Sequence, residues 1–183
     1  ATNGNPAKDF MDVAVDPYDA EHFFVTAYGG GVYEFQNSQV VQQYLPENST
    51  LESAVSNNPK GYTRCSNGTF DKEGNYWCCN MGDVVLHRLD KSNQWDAVKI
   101  ISEGNIFPVY TAGGLLLDKR NEQHKWIPYA RYNPGLVLID DKGSLDETDD
   151  KVIFRNLWST TTGQSISPTS IYIVKQDSKN NIW

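Results

Sequence analysis

The sequence predicts an all-β chain folded as a β-propeller, with three complete four-stranded blades and the start of a fourth, a fragment of a larger propeller. Three observations predict it. A tight turn followed by an aromatic residue recurs along the 183 residues. Each recurrence sits among four short strand-like runs joined by turns. No segment keeps a helical period over ten or more residues. A β-sandwich is the competing all-β arrangement, but it does not explain one turn-plus-aromatic unit returning at one period.

The clearest unit is Asp71-Lys72-Glu73-Gly74-Asn75-Tyr76-Trp77. Asp bonds its own backbone two residues on, and Gly accepts a positive φ. The aromatic then fills a buried pleated face. Asp177-Ser178-Lys179-Asn180-Asn181-Ile182-Trp183 has the same shape with Asn for Gly, and Asp118-Lys119-Arg120-Asn121 followed by Lys125-Trp126 is two residues longer. Asp16-Pro17-Tyr18-Asp19-Ala20 followed by Phe23-Phe24-Val25 is a fourth version, with Phe for Trp. The leading aspartates, at 16, 71, 118 and 177, stand 55, 47 and 59 residues apart. Four-stranded units of that length bury little alone and stack radially so that neighbours cover one another. Trp77, Trp126 and Trp183 occupy equivalent positions and are expected in the core between blades.

Taken in order, blade 1 spans about 8–45, blade 2 about 62–102, blade 3 about 108–156, and the start of blade 4 about 168–183. In blade 1 the runs Phe10–Val15, Phe23–Tyr28, Val32–Phe35 and Val40–Tyr44 are punctuated by the Asp16 turn, Gly29-Gly30-Gly31 and Asn37-Ser38. Gly29-Gly30-Gly31 lies between two strands and not before a helix, so it reads as a tight turn and not a phosphate loop. Blade 2 runs Tyr62–Phe70, Tyr76–Asn80, Val84–Leu89 and Trp95–Ile101. Blade 3 runs Val109–Leu117, Lys125–Arg131, Gly135–Ile139 and Lys151–Arg155. Pro128 inside the second of these runs removes a ladder donor and calls for an unpaired or bulged position. Blade 4 opens with Ser170–Val174, and the polar segments 45–61 and 157–168 read as long loops.

Composition narrows the function classes. The net charge is −7, from 23 acidic and 16 basic residues, with no basic stripe, which argues against nucleic acid and anionic membrane surfaces as partners. No apolar run approaches the ~18 residues of a membrane-spanning helix. Cys65, Cys78 and Cys79 lack zinc spacing; Cys65 and Cys78 flank the Asp71 turn and read as small buried thiols, with a bridge between them left open. His22, His87 and His124 fall in different blades without metal spacing, so neither a metal nor a cofactor is expected. No Gly-x-Ser-x-Gly nucleophile motif is present, and the acidic run Asp146–Asp150 lacks the calcium-loop pattern and reads as a solvated turn. The expectation is therefore a non-enzymatic module. A propeller lyase or glycosidase would need paired carboxylates at one mouth.

In a four-stranded blade the second-to-third-strand turns and the inter-blade loops emerge on one side. That side is expected to gather Tyr28, Asn80, Arg131, Tyr132 and Trp158 as a ligand- or partner-binding face. Aromatics with an Arg suit a glycan or a protein. An open arc of blades leaves uncovered faces and strand edges, so the isolated fragment is expected to self-associate.

The pattern Asp71-x-x-Gly74-Asn75-x-Trp77, followed by Gly82 and Val84-Val85-Leu86, resembles the repeat of two-component-regulator-type propellers. Those form periplasmic sensor regions of hybrid histidine kinases in Gram-negative bacteria. The first repeat, Asp16-Pro17 through His22-Phe23-Phe24-Val25 and Tyr28-Gly29-Gly30-Gly31-Val32-Tyr33-Glu34-Phe35, then Tyr44 and Glu47-Asn48-Ser49-Thr50-Leu51, is similar to PorZ-like proteins. That resemblance implies an extracytoplasmic setting in the periplasm or at the outer-membrane surface, and a binding or scaffold role linked to type IX secretion. The sensor resemblance implies ligand sensing, with glycans as the ligand class. The lengthened turn at Asn121–His124 and the Asn-rich turn before Trp183 depart from the repeat.

Overall fold

A computed structural model describes residues 9–102, 105–106, 114–130 and 134–183. The described residues contain strands and turns and no helix. The chain divides into two compact units, Ala1–Val98 and Lys99–Trp183.

The first unit is two antiparallel four-stranded meanders. One comprises β1 (Phe10–Asp16), β2 (Asp19–Gly29), β3 (Gly31–Gln36) and β4 (Gln39–Tyr44). The other comprises β5 (Thr63–Phe70), β6 (Tyr76–Asn80), β7 (Leu86–Leu89) and β8 (Trp95–Val98). The end of β2 joins the start of β5 through the pairs Tyr28↔Arg64 and Gly29↔Thr63. Side chains alternate as a pleat requires. Phe24, Val32 and Tyr44 pack with Ala14 against Cys65, Tyr76, Cys78 and Leu89 of the second meander. Phe24 and Tyr76 stack with ring centroids 4.2 Å apart. Burying rings of this size stabilises by ~2–3 kcal/mol each. The opposite face of the first meander carries Val25, Ala27 and Tyr33, flanked by the stacked pair Phe23 and Phe35 at 4.7 Å.

The turns follow from their residues. Asn37 and Ser38 both take positive φ, the two-residue hairpin geometry that matches strand twist. Gly31 has φ +68°, and a Cβ there would lie 2.2 Å from the Tyr44 carbonyl oxygen, so only glycine fits. Gly74, Asn93 and Asn180 each hold the left-handed position of an aspartate-led turn, at φ 82°, 62° and 65°. Asn thus replaces Gly at the one site where it tolerates that conformation.

The second unit contains the hairpin β9 (Ile101–Ser102) and β10 (Asn105–Ile106). Its sheet is β11 (Leu116–Leu117), β12 (His124–Tyr129), β13 (Gly135–Asp140) and β14 (Lys151–Arg155) in order. A further hairpin is β15 (Trp158–Ser159) with β16 (Ser165–Ile166). Ile127, Tyr129, Val137 and Ile139 form its buried face. Among the described residues the β11 pairing stops at Trp126, so Pro128 sits beyond that ladder and keeps only its β13 partner Leu136.

Four expectations are corrected. The fourth strand of the second meander ends at Val98, and Ile101 belongs to the separate β9–β10 hairpin. Ser170–Val174 lies in no named strand; the order there comes from an isolated Gln176↔Ile182 bridge and two backbone bonds between Lys175 and Trp183. Segment 157–168 is not simply a loop, since it holds the β15–β16 hairpin. Of the three repeat tryptophans, Trp77 is 5% exposed, Trp126 is half-buried and Trp183 is 76% exposed. Strand 109–117 of the third repeat falls largely outside the described residues, which cover only its end from Gly114.

Candidate functional site

In the first unit the turns 16–19, 36–39, 70–76 and 89–95 emerge at one end of the strands. The connections 29–31, 80–86 and 45–62 emerge at the other. The second end is the one expected to bind. Tyr28 and Arg64 are cross-strand partners there, and the Arg64 guanidinium lies 3.9 Å from the Tyr28 ring centroid. The Arg64 carbonyl accepts from Asn80 Nδ2 at 3.0 Å and from the Met81 amide at 2.8 Å. Asn80 Oδ1 accepts from the Glu52 amide at 2.7 Å, while Nδ2 also donates to the Glu52 carbonyl at 3.1 Å. The Glu52 carboxylate accepts from the Val84 amide at 2.9 Å. Asn80 is 1% exposed, so its amide ties the 50–53 loop to the sheet.

Tyr28 and Asn80 are therefore brought together through Arg64, which sequence reasoning missed. Its only signal was its register opposite Tyr28, a pairing that spans the whole 30–62 connection. Arg131 and Tyr132 lie outside the described residues. Trp158 lies in β15 of the second unit, half-buried and paired with Ile166.

The turn end of the first unit holds a cleft of about 300 Å³ lined by Asp16, Tyr18, His22, Glu34, Phe70 and Lys91, among others. His22 Nδ1 lies 2.9 Å from Asp16 Oδ2, and Nε2 lies 2.9 Å from Glu34 Oε1. Tyr44 donates to Glu34 Oε2 at 2.7 Å. Two carboxylates facing both ring nitrogens favour the imidazolium, the form in which both nitrogens donate. Burial works against the charged ring, but the hydrogen bonds it donates to Asp16 and Glu34, with their negative charges, outweigh that and raise its pKa. Phe24, Glu34 and Tyr44 share one face of the meander, because His22↔Gln36 and Phe24↔Glu34 are paired and the period is two. The strand alternation puts these side chains on one face, but only the registers between strands bring them together.

Chemically the cluster is closed on itself. Asp16 Oδ1 accepts from the Tyr18 amide at 2.8 Å, so each carboxylate oxygen of Asp16 and Glu34 has a partner inside the protein. The Tyr18 hydroxyl donates to the Lys72 carbonyl, linking the turns of the two meanders, and the Lys91 ammonium lies 5.5 Å from the Tyr18 ring.

His87 is fully buried. Its Nε2 donates to the Val84 carbonyl at 3.0 Å and Nδ1 accepts from the Thr50 hydroxyl at 2.9 Å, and burial pushes its pKa down to about 4. Cys65, Cys78 and Cys79 are free thiols, buried, and burial pushes Cys78 and Cys79 upward. Among the described residues no group of three or more His, Cys, Asp or Glu side chains is placed to hold a metal ion. In the second unit Lys125 is buried against Asp141, and burial together with Asp141 and Asp149 raises Asp150 to about 6.

No family model matches the sequence, and a search of curated proteins finds no match. Solved structures do match. PorZ of Porphyromonas gingivalis, a bacterial surface component of the type IX secretion system, aligns with a TM-score of 0.79 at 21% identity, over 98% of this chain and 24% of that one. Over the aligned part the chain shares the fold of PorZ. The likeness extends to the extracellular domain assigned to a hybrid two-component system of B. thetaiotaomicron, with a TM-score of 0.60 at 18% identity over 96% of this chain and 20% of that one. A further extracellular domain from that organism, assigned to a one-component system, gives 0.55 at 14% identity over the whole of this chain and 27% of its own. The chain thus spans about a quarter of the proteins it matches. Identity at this level carries the fold and not the activity. Among the described residues no helix is long and apolar enough to cross a membrane.

Proposed function

We propose that this chain is part of an extracytoplasmic propeller that binds or scaffolds and does not catalyse, in a PorZ-like protein of the periplasm or cell surface. The observation that carries the reading is the likeness to PorZ along nearly the whole chain. The self-satisfied Asp16–His22–Glu34 cluster supports it, since neither carboxylate presents an unspent oxygen to a substrate. On this reading the chain supplies three complete blades and the start of a fourth. Its partner is a protein or a glycan met at the Tyr28 end. The likeness to extracellular domains of regulatory systems supports a second reading, a periplasmic sensor region responding to glycans.

One experiment separates them. The parent gene is read beyond residue 183, and the tagged full-length protein is probed by protease on intact cells and on cells with a permeabilised outer membrane. A sorting domain in the gene, with digestion on intact cells or after permeabilisation, supports the PorZ-like reading. Protection until permeabilisation, with a membrane helix and kinase encoded downstream, supports the sensor. A cytoplasmic protein overturns both.

A further inference from the structure

We propose that Arg64, seated on Tyr28, is a binding site for a carboxylate-bearing ligand. The chain carries a net charge of −7, so a cation here has acidic side chains in abundance to choose from. In the first unit Arg88 has chosen one, with Nη2 2.8 Å from Asp96 Oδ2. Arg64 has not. Among the described residues its guanidinium meets the Tyr28 ring at 3.9 Å and the Met81 sulfur at 3.7 Å, and no carboxylate. Sulfur is a weak acceptor and a ring face accepts none of the five directed N–H bonds well. Arg64 is half-buried and its guanidinium nitrogens are not sealed in the interior, so its unspent donors are open to an incoming acceptor.

The backbone beneath Arg64 is held in place. Its carbonyl accepts from both Asn80 and Met81, and Asn80 is anchored in turn to Glu52. Tyr28 is fixed by its pairing with Arg64 and by the bond from its amide to the Asp9 carbonyl at 2.9 Å. The fork is therefore positioned before any ligand arrives, which lowers the ordering cost of binding. Planar, two-pronged recognition is what an arginine offers a carboxylate. Both an acidic sugar and an acidic non-sugar molecule present that group.

The site rests on the reading of this end as the binding end, and its test stands apart from the localisation experiment. The folded chain is titrated with glucuronate, glutarate and glucose while the arginine Nε–Hε NMR signals are followed. Saturable shifts of the Arg64 signal with glucuronate and glutarate alike assign the site to the carboxylate itself; shifts with glucuronate alone assign it to a carboxylate on a sugar ring. Both support the proposal. Arg64→Ala should weaken binding at least about tenfold and Arg64→Lys, which keeps the charge and loses the fork, about fivefold. Tyr28→Leu, which leaves the guanidinium present but unsupported, should weaken it by a smaller factor. Shifts with glucose alone, no shift with any probe, or binding unchanged in a folded Arg64→Lys or Arg64→Ala chain overturns the proposal. Such a result leaves the propeller's extracytoplasmic binding role standing, since localisation reports on that separately.

Discussion

The indole Nε1 of Trp77 donates to Asp71 Oδ2 at 2.9 Å, six residues back along the chain. Asp71 Oδ1 accepts from the amides of Glu73 and Asn75, and Oδ2 also accepts from Asn75 Nδ2 at 2.8 Å. The repeat tryptophan is thus part of the turn as well as part of the packing. Asp177 and Trp183 repeat the arrangement bond for bond, with the indole at 3.0 Å. At Asp118 the longer turn brings Arg120 onto the carboxylate, and the Trp126 indole N–H has no acceptor among the described residues.

Asp71→Ala should therefore destabilise by about 3 kcal/mol, since it strips the acceptor from several donors at once. Asp71→Asn should cost less, because the amide oxygen still accepts. Urea melts check this; a loss near zero for Asp71→Ala would show the turn closes without its carboxylate.

Trp77→Phe and Trp126→Phe should differ. The first loses a charge-assisted bond and ring area, on the order of 2–3 kcal/mol; the second loses only area, about 1 kcal/mol. Trp77→Ala should cost about 3–5 kcal/mol. Equal losses for the two Phe variants would remove the turn role.

Two histidines should pull stability in opposite directions with pH. His22 has a raised pKa, so its contribution is fully present below the ordinary value of 6.5 and is lost as pH rises through the raised one. After solvent screening that contribution is on the order of 1 kcal/mol. His87 has a lowered pKa, about 4, so its contribution is present above 6.5 and is lost as pH falls toward 4. Melting His22→Gln and His87→Gln at pH 5.5 and pH 8.5 tests both. The His22 variant should lag wild type more at the acid end, and the His87 variant more at the alkaline end.

Asp150 is raised to about 6, so stability tied to its protonated form is present below 3.8 and lost as pH rises through 6. Asp150→Asn should raise the melting temperature at pH 7.5 and leave it nearly unchanged at pH 3.5. A fall at pH 7.5 would mean the carboxylate is held by a partner.

The isolated 183-residue chain should self-associate at micromolar concentration. Val13 and Val15 of β1 are 56% and 54% exposed on the face that also carries Phe23 and Phe35. Light scattering should show species above the monomer, reduced by Val13→Lys with Val15→Lys. A clean monomer for the unmodified chain would sink this.

How much of this was legible depends on how local the physics is. The aspartate-led turns were readable because every donor and acceptor lies within seven residues, and Asn180 could be read as a glycine substitute from its tolerance of positive φ alone. The strand alternation of both meanders was readable for the same reason. The His22 cluster was not, because Asp16, Glu34 and Tyr44 meet only once three registers are known. Arg64 was hidden for the same reason. Ser170–Val174 misled because its apolar residues mimic a strand, while Ile173 is 63% exposed. Trp183 keeps the turn bond of its repeat, and its burial was not readable from the turn alone.

The self-contained Asp71–Trp77 turn also bears on the order in which the chain folds. All of its bonds close within a seven-residue window, so it can nucleate its hairpin on the microsecond scale, before any distant segment is in place. The join between Tyr28 and Arg64 instead closes a loop of some 35 residues. Loop-closure entropy must be met before that contact gains anything. Fast, independent hairpins followed by a slower zippering of one meander onto the next is the expected sequence, and mutations at Asp71 should slow folding while mutations at the seam should mainly speed unfolding.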